Sequence, residues 1–331
     1  MKSLDDKLAR IRAGEYRPND FIIADAKDAD MAFGMMAPGL VRDQHGNFGG
    51  EFAPRSDYLQ AMRNMTRSGF VDIMLMSASS AEILGNEGCF AASAVTPAVR
   101  YNDTTDIWHP RGGRYGTEPA RPFRTARLHR VRRFADLGLY SITFSNHLER
   151  DLAMLEAYAA FREEAAELGM RHFLEVFNPA FDVGVPAQDL GLYIADAIVR
   201  ALAGVVSSEH PLFLKIAYNG RYALSRLASY APQNMIVGIL GGSRGTTRDA
   251  FELISRAEQA GARVALFGRK INLAQHPLEL VRLLRAVVSH EVTAQEEVKL
   301  YNHALHQAGI RPMLGLEDDL AITDPVLLAE D

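Results

Sequence analysis

A lysine in the run Pro211-Leu-Phe-Leu-Lys-Ile-Ala-Tyr-Asn-Gly220 has large apolar neighbours on both sides, an expensive setting for an ammonium. The chain has few lysines; the others are Lys2, Lys7, Lys27, Lys270 and Lys299, and its remaining cations are arginine. Desolvation disfavours the charged form of an amine. A lysine held in such a strand can therefore supply a neutral amine as nucleophile toward a carbonyl. The competing reading is an edge-strand lysine that reaches solvent. A second chemical signal follows downstream, where Gly241-Gly-Ser243 and Gly268-Arg269 each come directly after an apolar run. Glycines let the backbone approach an oxyanion closely, Ser243 adds a hydroxyl donor, and Arg269 sets a guanidinium beside the N–H of Gly268. These two segments are spaced as one β-α-β unit, so they lie side by side, and they read together as a cradle for a phosphate.

The elements that must position these groups alternate short apolar runs with longer amphipathic ones. This is the pattern of parallel strands joined by helices. Eight strands are predicted, at Phe21 to Ala24, Val71 to Met76, Ala94 to Tyr101, Tyr140 to Phe144, His172 to Phe177, Leu212 to Ala217, Met235 to Leu240 and Arg263 to Phe267. Helical patterns occupy Asp57 to Ser68, Thr125 to Leu137, Glu149 to Leu168, Leu190 to Val206 and Arg248 to Ala260. The fold class expected is α/β, a (β/α)8 TIM barrel with its site at the C-terminal ends of the strands. The residues after each predicted strand are polar or glycine-rich, beginning with Asp25-Ala-Lys-Asp28. After the third strand, residues 106–122 form a Gly/Pro/Arg-rich loop with the character of a lid, though a surface or subunit-contact loop reads the same way. Helical patterns at Pro277 to Val288 and Thr293 to Gln307 and an acidic tail end the chain. We expect residues 1–290 to make the barrel with an N-terminal helix, and residues 291–331 a C-terminal helical extension and acidic tail.

Composition narrows the partners. Over 331 residues, 48% are hydrophobic and 23% charged, an ordinary globular balance, and the net charge of -5 offers no bulk basicity for nucleic acid. One cysteine, Cys89, excludes an intrachain disulfide and a Cys-rich zinc site and fits a reducing compartment. The start lacks the apolar stretch of a secretory signal, and no run approaches the roughly 18 to 20 apolar residues that span a bilayer. A cytoplasmic protein with no membrane and no nucleic-acid partner is expected.

In the order and spacing of its segments the chain resembles the class I, Schiff-base aldolases of the DeoC/LacD/fructose-bisphosphate aldolase superfamily and, within it, the DhnA-type branch. The residues that carry the resemblance are Ile22-Ile-Ala-Asp25, Leu214-Lys-Ile-Ala-Tyr-Asn-Gly220, Ile239-Leu-Gly-Gly-Ser243 and Phe267-Gly-Arg-Lys-Ile-Asn272, together with Tyr101-Asn-Asp-Thr-Thr105. It spans about residues 20 to 290. What it implies is a barrel with Lys215 as Schiff-base lysine, Asp25 as acid/base or orienting carboxylate, and Gly241, Gly242, Ser243, Gly268 and Arg269 around the substrate phosphate. Two places depart from the pattern. Thr143-Phe-Ser-Asn-His147 stands where the family often has a tyrosine, so His147 is a candidate proton donor or acceptor. Asp25-Ala-Lys-Asp28 stands where Asp-His-Gly is common, which leaves Lys27 and Asp28 open: Lys27 could act on Lys215 electrostatically or pair with Asp28. Glu175, inside the fifth strand, is a further buried carboxylate for proton transfer, or else the partner of an arginine inside the barrel.

The chemistry implied is carbon-carbon bond cleavage or formation in a phosphorylated ketose, in a homo-oligomeric lyase that needs neither metal nor cofactor. Alternatives are a DhnA-like acyltransferase or ulosonate-type condensing enzyme, and a barrel that binds a sugar phosphate without turnover.

Overall fold

The computed structural model describes residues 2–43, 47–242 and 244–330. Eight strands close into a parallel barrel in sequence order: β1 Ile22–Lys27, β2 Ile73–Met76, β3 Thr96–Arg100, β4 Leu137–Thr143, β5 Arg171–Phe177, β6 Leu214–Ile216, β7 Gly238–Leu240 and β8 Val264–Phe267, with β8 pairing back onto β1. All eight fall on the runs read as strands from the sequence. This is the (β/α)8 barrel expected.

The two-residue period of a strand sorts side chains between the barrel interior and the surrounding helices. Inside, a compact apolar cluster joins Ile22, Ala24 and Ala26 of β1 to Leu75, Ala98, Leu139, Phe173, Phe213, Val264 and Leu266. The N-terminal helix Ser3–Arg12 adds Leu4, Leu8 and Ile11 to that same cluster and so plugs one end. Continuing the interior period toward the C-terminal ends gives Asp28 after Ala26, Arg100 after Ala98, Ser141 after Leu139, Glu175 after Phe173 and Lys215 after Phe213. The barrel is therefore filled with hydrocarbon at one end and with charge at the other. The alternate residues, such as Ile23, Met74, Val99 and Ile142, join the outer cluster beneath the helices.

Element ends moved where tertiary pairing outweighed local pattern. β1 does not stop at Ala24; it runs through Asp25, Ala26 and Lys27, because the register Asp25↔Met74 to Lys27↔Met76 keeps it paired with β2. The helix expected over Thr125 to Leu137 is a single turn, Leu128–Val131, since Leu137 is already paired with Arg171 of β5. The helix from Leu190 ends at Leu202, two residues short of Gly204.

Helices Thr247–Gln259 and Ala294–Gln307 both begin with reciprocal capping boxes, Thr246 with Asp249 and Thr293 with Glu296. Helix Ala294–Gln307 buries Val298, Tyr301 and Leu305 in the outer cluster. Beyond it the chain straps across the barrel. Asp249 accepts from the backbone N–H groups of Thr323 (2.8 Å) and Asp324 (3.1 Å) and from the Thr323 hydroxyl (2.6 Å). Further along, Glu330 accepts from the Tyr218 hydroxyl at 3.0 Å, in the turn that follows β6.

Gly138 shows how tightly the outer layer is packed. A Cβ placed there would lie 1.6 Å from Cε2 of Tyr101, whose fully buried ring fills that face of β4. Gly138→Ala is expected to destabilise the protein by about 3 kcal/mol, since a buried ring against a strand has nowhere to go. Urea unfolding measures it, and a change below about 0.5 kcal/mol, the range of a surface substitution, would contradict the packing argument.

Candidate active site

Strand pairing sets the site. Ser141, Glu175 and Lys215 are register partners across β4, β5 and β6, so their inward side chains form one row. Lys215 Nζ lies 2.5 Å from Glu175 Oε1. The other carboxylate oxygen, Oε2, accepts from Arg100 Nη2 at 2.8 Å and from the Ser141 hydroxyl at 2.8 Å. Arg100 in turn donates through Nη1 to Asp103 Oδ1 (2.8 Å) and Ser141 Oγ (2.8 Å), and through Nε to Asp28. One guanidinium thus engages three carboxylates. Asn102 pins the edge of this network by donating to the Ser141 carbonyl (2.7 Å) and accepting from its N–H (2.6 Å).

All these groups are buried, and their charges depend on one another. Burial pushes the Asp28 carboxyl up, but Arg100 first and Lys215 second more than offset it, holding Asp28 below the usual carboxylate range. Burial likewise acts to lower Arg100, and the combined field of Asp103, Asp28 and Glu175 holds it well above its ordinary value. Asp103 goes the other way. Burial drives it up to about 6, against the pull of Arg100 and with the help of the nearby Asp28 and Glu175 charges.

The network opens into a cavity of about 260 Å³. Its lining includes the charged Asp28, Arg100, Glu175 and Lys215 and, from the ends of β7 and β8 that lie between β6 and β1, Gly241, Gly242, Gly268 and Arg269. Gly242 has φ of 62°, and a Cβ on Gly268 would lie 2.9 Å from the carbonyl oxygen of Ala26, so both positions require glycine for backbone reasons alone. Among the described residues Arg269 makes no ion pair, and its guanidinium lies over the Phe33 ring at 5.9 Å, with burial lowering its pKa. An anion would meet a half-desolvated, unclaimed cation there.

Residues 106–122 contribute to the mouth. Ile107 and His109 line the cavity; the His109 ring stacks on Phe33 with centroids 5.8 Å apart, and the His109 backbone N–H donates to the Ala32 carbonyl at 2.9 Å. Asp103–Thr104 pairs antiparallel with Pro122–Phe123 at the loop's base.

Of the residues singled out from the sequence, six share this cavity: Lys215, Glu175, Gly241, Gly242, Gly268 and Arg269. Ser243 lies outside the described residues. Asp25 does not face the cavity. Because β1 extends to Lys27, Asp25 has the parity of Ile23 and points to the outer layer, where Lys27 Nζ bonds its Oδ1 at 3.0 Å and its Oδ2 has no partner. Burial raises its pKa against the pull of Lys27. Lys27 accordingly pairs with neither Asp28 nor the Lys215 network, and the carboxylate that β1 delivers to the cavity is Asp28. His147 is exposed at the start of helix Leu148–Glu167 and is not part of the cavity wall. Arg100, Asp103 and Ser141 were not singled out. A charged residue two places after Ala98 at the end of an apolar strand was the available signal for Arg100.

No family model matches this chain. A 3-hydroxy-5-phosphonooxypentane-2,4-dione thiolase of Escherichia coli K12 is 24% identical over 136 residues, which is 40% of this chain and 46% of that protein. Among solved structures, an archaeal fructose 1,6-bisphosphate aldolase superposes with a TM-score of 0.63 at 18% identity, covering 87% of this chain and 99% of the other. A fructose-bisphosphate aldolase from Slackia heliotrinireducens gives 0.64 at 15% identity, covering 91% and 90%. Another archaeal aldolase structure, with its catalytic lysine covalently bound to the carbinolamine intermediate of the substrate, gives 0.63 at 18%, covering 86% and 99%. At these identities the likeness is one of fold, a (β/α)8 barrel of the kind on which Schiff-base aldolases are built.

The Asp103 carboxyl gives the site a pH signature. Its folded pKa is about 6, above the ordinary value of 3.8, so the stability it contributes is fully present below pH 3.8 and is lost as pH rises through 6. Between pH 4.5 and 7.5 that loss is on the order of 2 kcal/mol. Asp28, held below its ordinary value, titrates under this window and does not contribute to it. Glu297, raised to about 7, and His172, lowered to about 3, also act in this range but are common to both proteins. Urea unfolding is therefore expected to show the stability difference between wild type and Asp103→Asn changing by on the order of 2 kcal/mol between pH 4.5 and 7.5; parallel pH curves for the two proteins would refute the assignment.

Proposed function

We propose that the chain is an aldolase that forms a Schiff base between Lys215 and a phosphorylated ketose. The observation that carries this reading is the amine of Lys215, buried in a cavity 2.5 Å from a carboxylate and sharing that cavity with a glycine-rich stretch and with Arg269, which makes no ion pair among the described residues. The likeness of fold to Schiff-base aldolases supports it, as does the partial match to a protein whose substrate carries a phosphate and ketones.

In this reading the phosphate binds to the N–H groups around Gly241, Gly242 and Gly268 and to Arg269, which fixes the carbonyl near Lys215. Glu175 takes a proton from Lys215, and the neutral amine adds to the carbonyl carbon. The carbinolamine then loses water, with Glu175 returning the proton to the departing hydroxyl. The iminium cation that results lies in the field of Asp28, which Arg100 keeps ionised, and of Glu175. Glu175, a carboxylate again, accepts the proton of the substrate's β-hydroxyl. The Cα–Cβ bond breaks, its electron pair passes to the iminium as an enamine, and the aldehyde leaves. Protonation of the enamine carbon and addition of water release the second product and restore the amine. Arg100 touches no reacting atom in this scheme; it holds Glu175 and Asp28 in place.

The thiolase match favours a second reading, in which the same lysine and phosphate wall serve acyl transfer from a phosphorylated diketone to a thiol. Product analysis separates the two: an aldehyde and a ketone in the first, a thioester in the second. A homo-oligomer in the cytoplasm belongs to either reading; among the described residues no helix is long and apolar enough to cross a membrane.

Borohydride reduction in the presence of phosphorylated ketoses should fix substrate on Lys215, seen as a mass increase on its peptide. Lys215→Met is expected to abolish the adduct while inorganic phosphate still binds. Glu175→Gln should slow turnover by about 10²-fold or more, the range of a lost general acid/base, whereas His147→Ala should leave it within about twofold. A folded wild-type protein that traps no ketose phosphate or diketone would end the proposal.

A further inference from the structure

A separate cavity of about 240 Å³ is lined by the β7 loop, the turn after β8, helix Ala294–Gln307 and the C-terminal strap. Two cations line it, Lys270 and Arg244, and neither has a carboxylate within ion-pair distance among the described residues. Lys270 is only 4% exposed, and among the described residues its one hydrogen bond is to the backbone carbonyl of Arg244 at 3.2 Å. Two of its three donors are left over. Among the described residues the Arg244 side chain meets the Met313 sulfur (3.0 Å) and the face of Phe48, 5.6 Å from its guanidinium carbon to the ring centroid. The Tyr301 hydroxyl also lines the space; it accepts from the His276 N–H at 2.9 Å, so its proton is free to donate.

Buried cations are ordinarily paired, because an unpaired one keeps its desolvation cost. That cost is visible here. Burial lowers Lys270 to about 8, with Arg269 adding to the fall, although Asp249 and Asp324 act to raise it. Burial also lowers Arg244, while Tyr301 and Asp319 act to raise it. Among the described residues Asp319 is the one carboxylate on the cavity wall, and it is engaged by the N–H of Thr247 at 2.7 Å.

We propose that this cavity is a second anion site, taking a small phosphate or carboxylate between Lys270, Arg244 and the Tyr301 hydroxyl. It is distinct from the Lys215 cavity, to which Lys270 and Arg244 do not belong, and it does not depend on the reaction assigned there. Its position gives it a means of influence. Lys270 follows Arg269 and Arg244 lies two residues after Gly242, so an anion here tightens the segments that form the phosphate wall next door.

Equilibrium dialysis of the full chain against inorganic phosphate should find two sites. Arg269→Met is expected to remove one and Lys270→Met the other, each weakening its own site by about tenfold or more, the loss typical of a charge-assisted hydrogen bond; Lys215→Met should leave both. A single site, lost in Arg269→Met and untouched by Lys270→Met, would mean that only water serves Lys270, and would overturn the proposal. A second measurement covers misfolding of the Lys270 variant. In Arg269→Met protein, trace acetylation of Lys270 followed by peptide mass across pH should titrate near 8 without anion, and phosphate should protect the amine and shift that titration upward. No protection by either phosphate or citrate would equally refute it, and protection by one alone identifies which anion class the site takes.

Discussion

The Arg100 guanidinium is the interaction on which the charged end of this barrel depends. Placing Asp28, Asp103, Glu175 and Lys215 together out of water would be prohibitive without a cation fixed at their centre, and a planar guanidinium offers five donors in a rigid fork, two more than an ammonium. Arg100 reaches β1 through Asp28, β4 through Ser141 and β5 through Glu175, and closes on its own loop through Asp103. It therefore ties strands that are not all neighbours in the sheet. Glu175 is oriented from one side by Arg100 and Ser141 and offers its other oxygen to Lys215, so the position of the amine follows from that of the guanidinium.

That cluster is tolerable because the rest of the barrel is not polar. The interior residues of the same strands one or two steps earlier are alanine, leucine, isoleucine, valine and phenylalanine, sealed by the N-terminal helix. Hydrocarbon at one end supplies the packing that lets the other end carry strained electrostatics. The cavity lining at the ends of β7 and β8 is built differently. There the backbone comes close, with glycine at 242 for its left-handed φ and at 268 for its approach to β1, and the charge is Arg269, which makes no ion pair among the described residues. A site with a saturated charge network on one side and an unsatisfied cation on the other distinguishes the two ends of any ligand it holds.

The C-terminal strap adds a second layer to the loops on this side. Asp249, capping its own helix, also receives three hydrogen bonds from Thr323 and Asp324, and Glu330 takes up the Tyr218 hydroxyl just past β6. The turns after β6 and β7 are thereby held by residues far away in the chain. This explains why the extension is inseparable from the geometry of the glycine-rich loops and of the cavity containing Lys270.

Much was determined by the sequence alone. Eight apolar runs separated by amphipathic stretches encode the barrel because hydrophobic burial acts on local periodicity, and the glycines after β7 and β8 announce themselves by residue type. Lys215 and Glu175 were legible because a charge inside an apolar strand must be accommodated. What only the tertiary structure decided is which charges meet. Whether β1 ends at Ala24 or at Lys27 is settled by its pairing with β2, and with it whether Asp25 or Asp28 faces the cavity, since strand parity follows from register and not from residue type. His147 sits on the right loop but at an exposed helix start, which no local pattern distinguishes from a cavity wall. Arg100 meets Glu175 across 75 positions of sequence, and that meeting exists only because closure of the barrel brings the inward side chains of separate strands to one level.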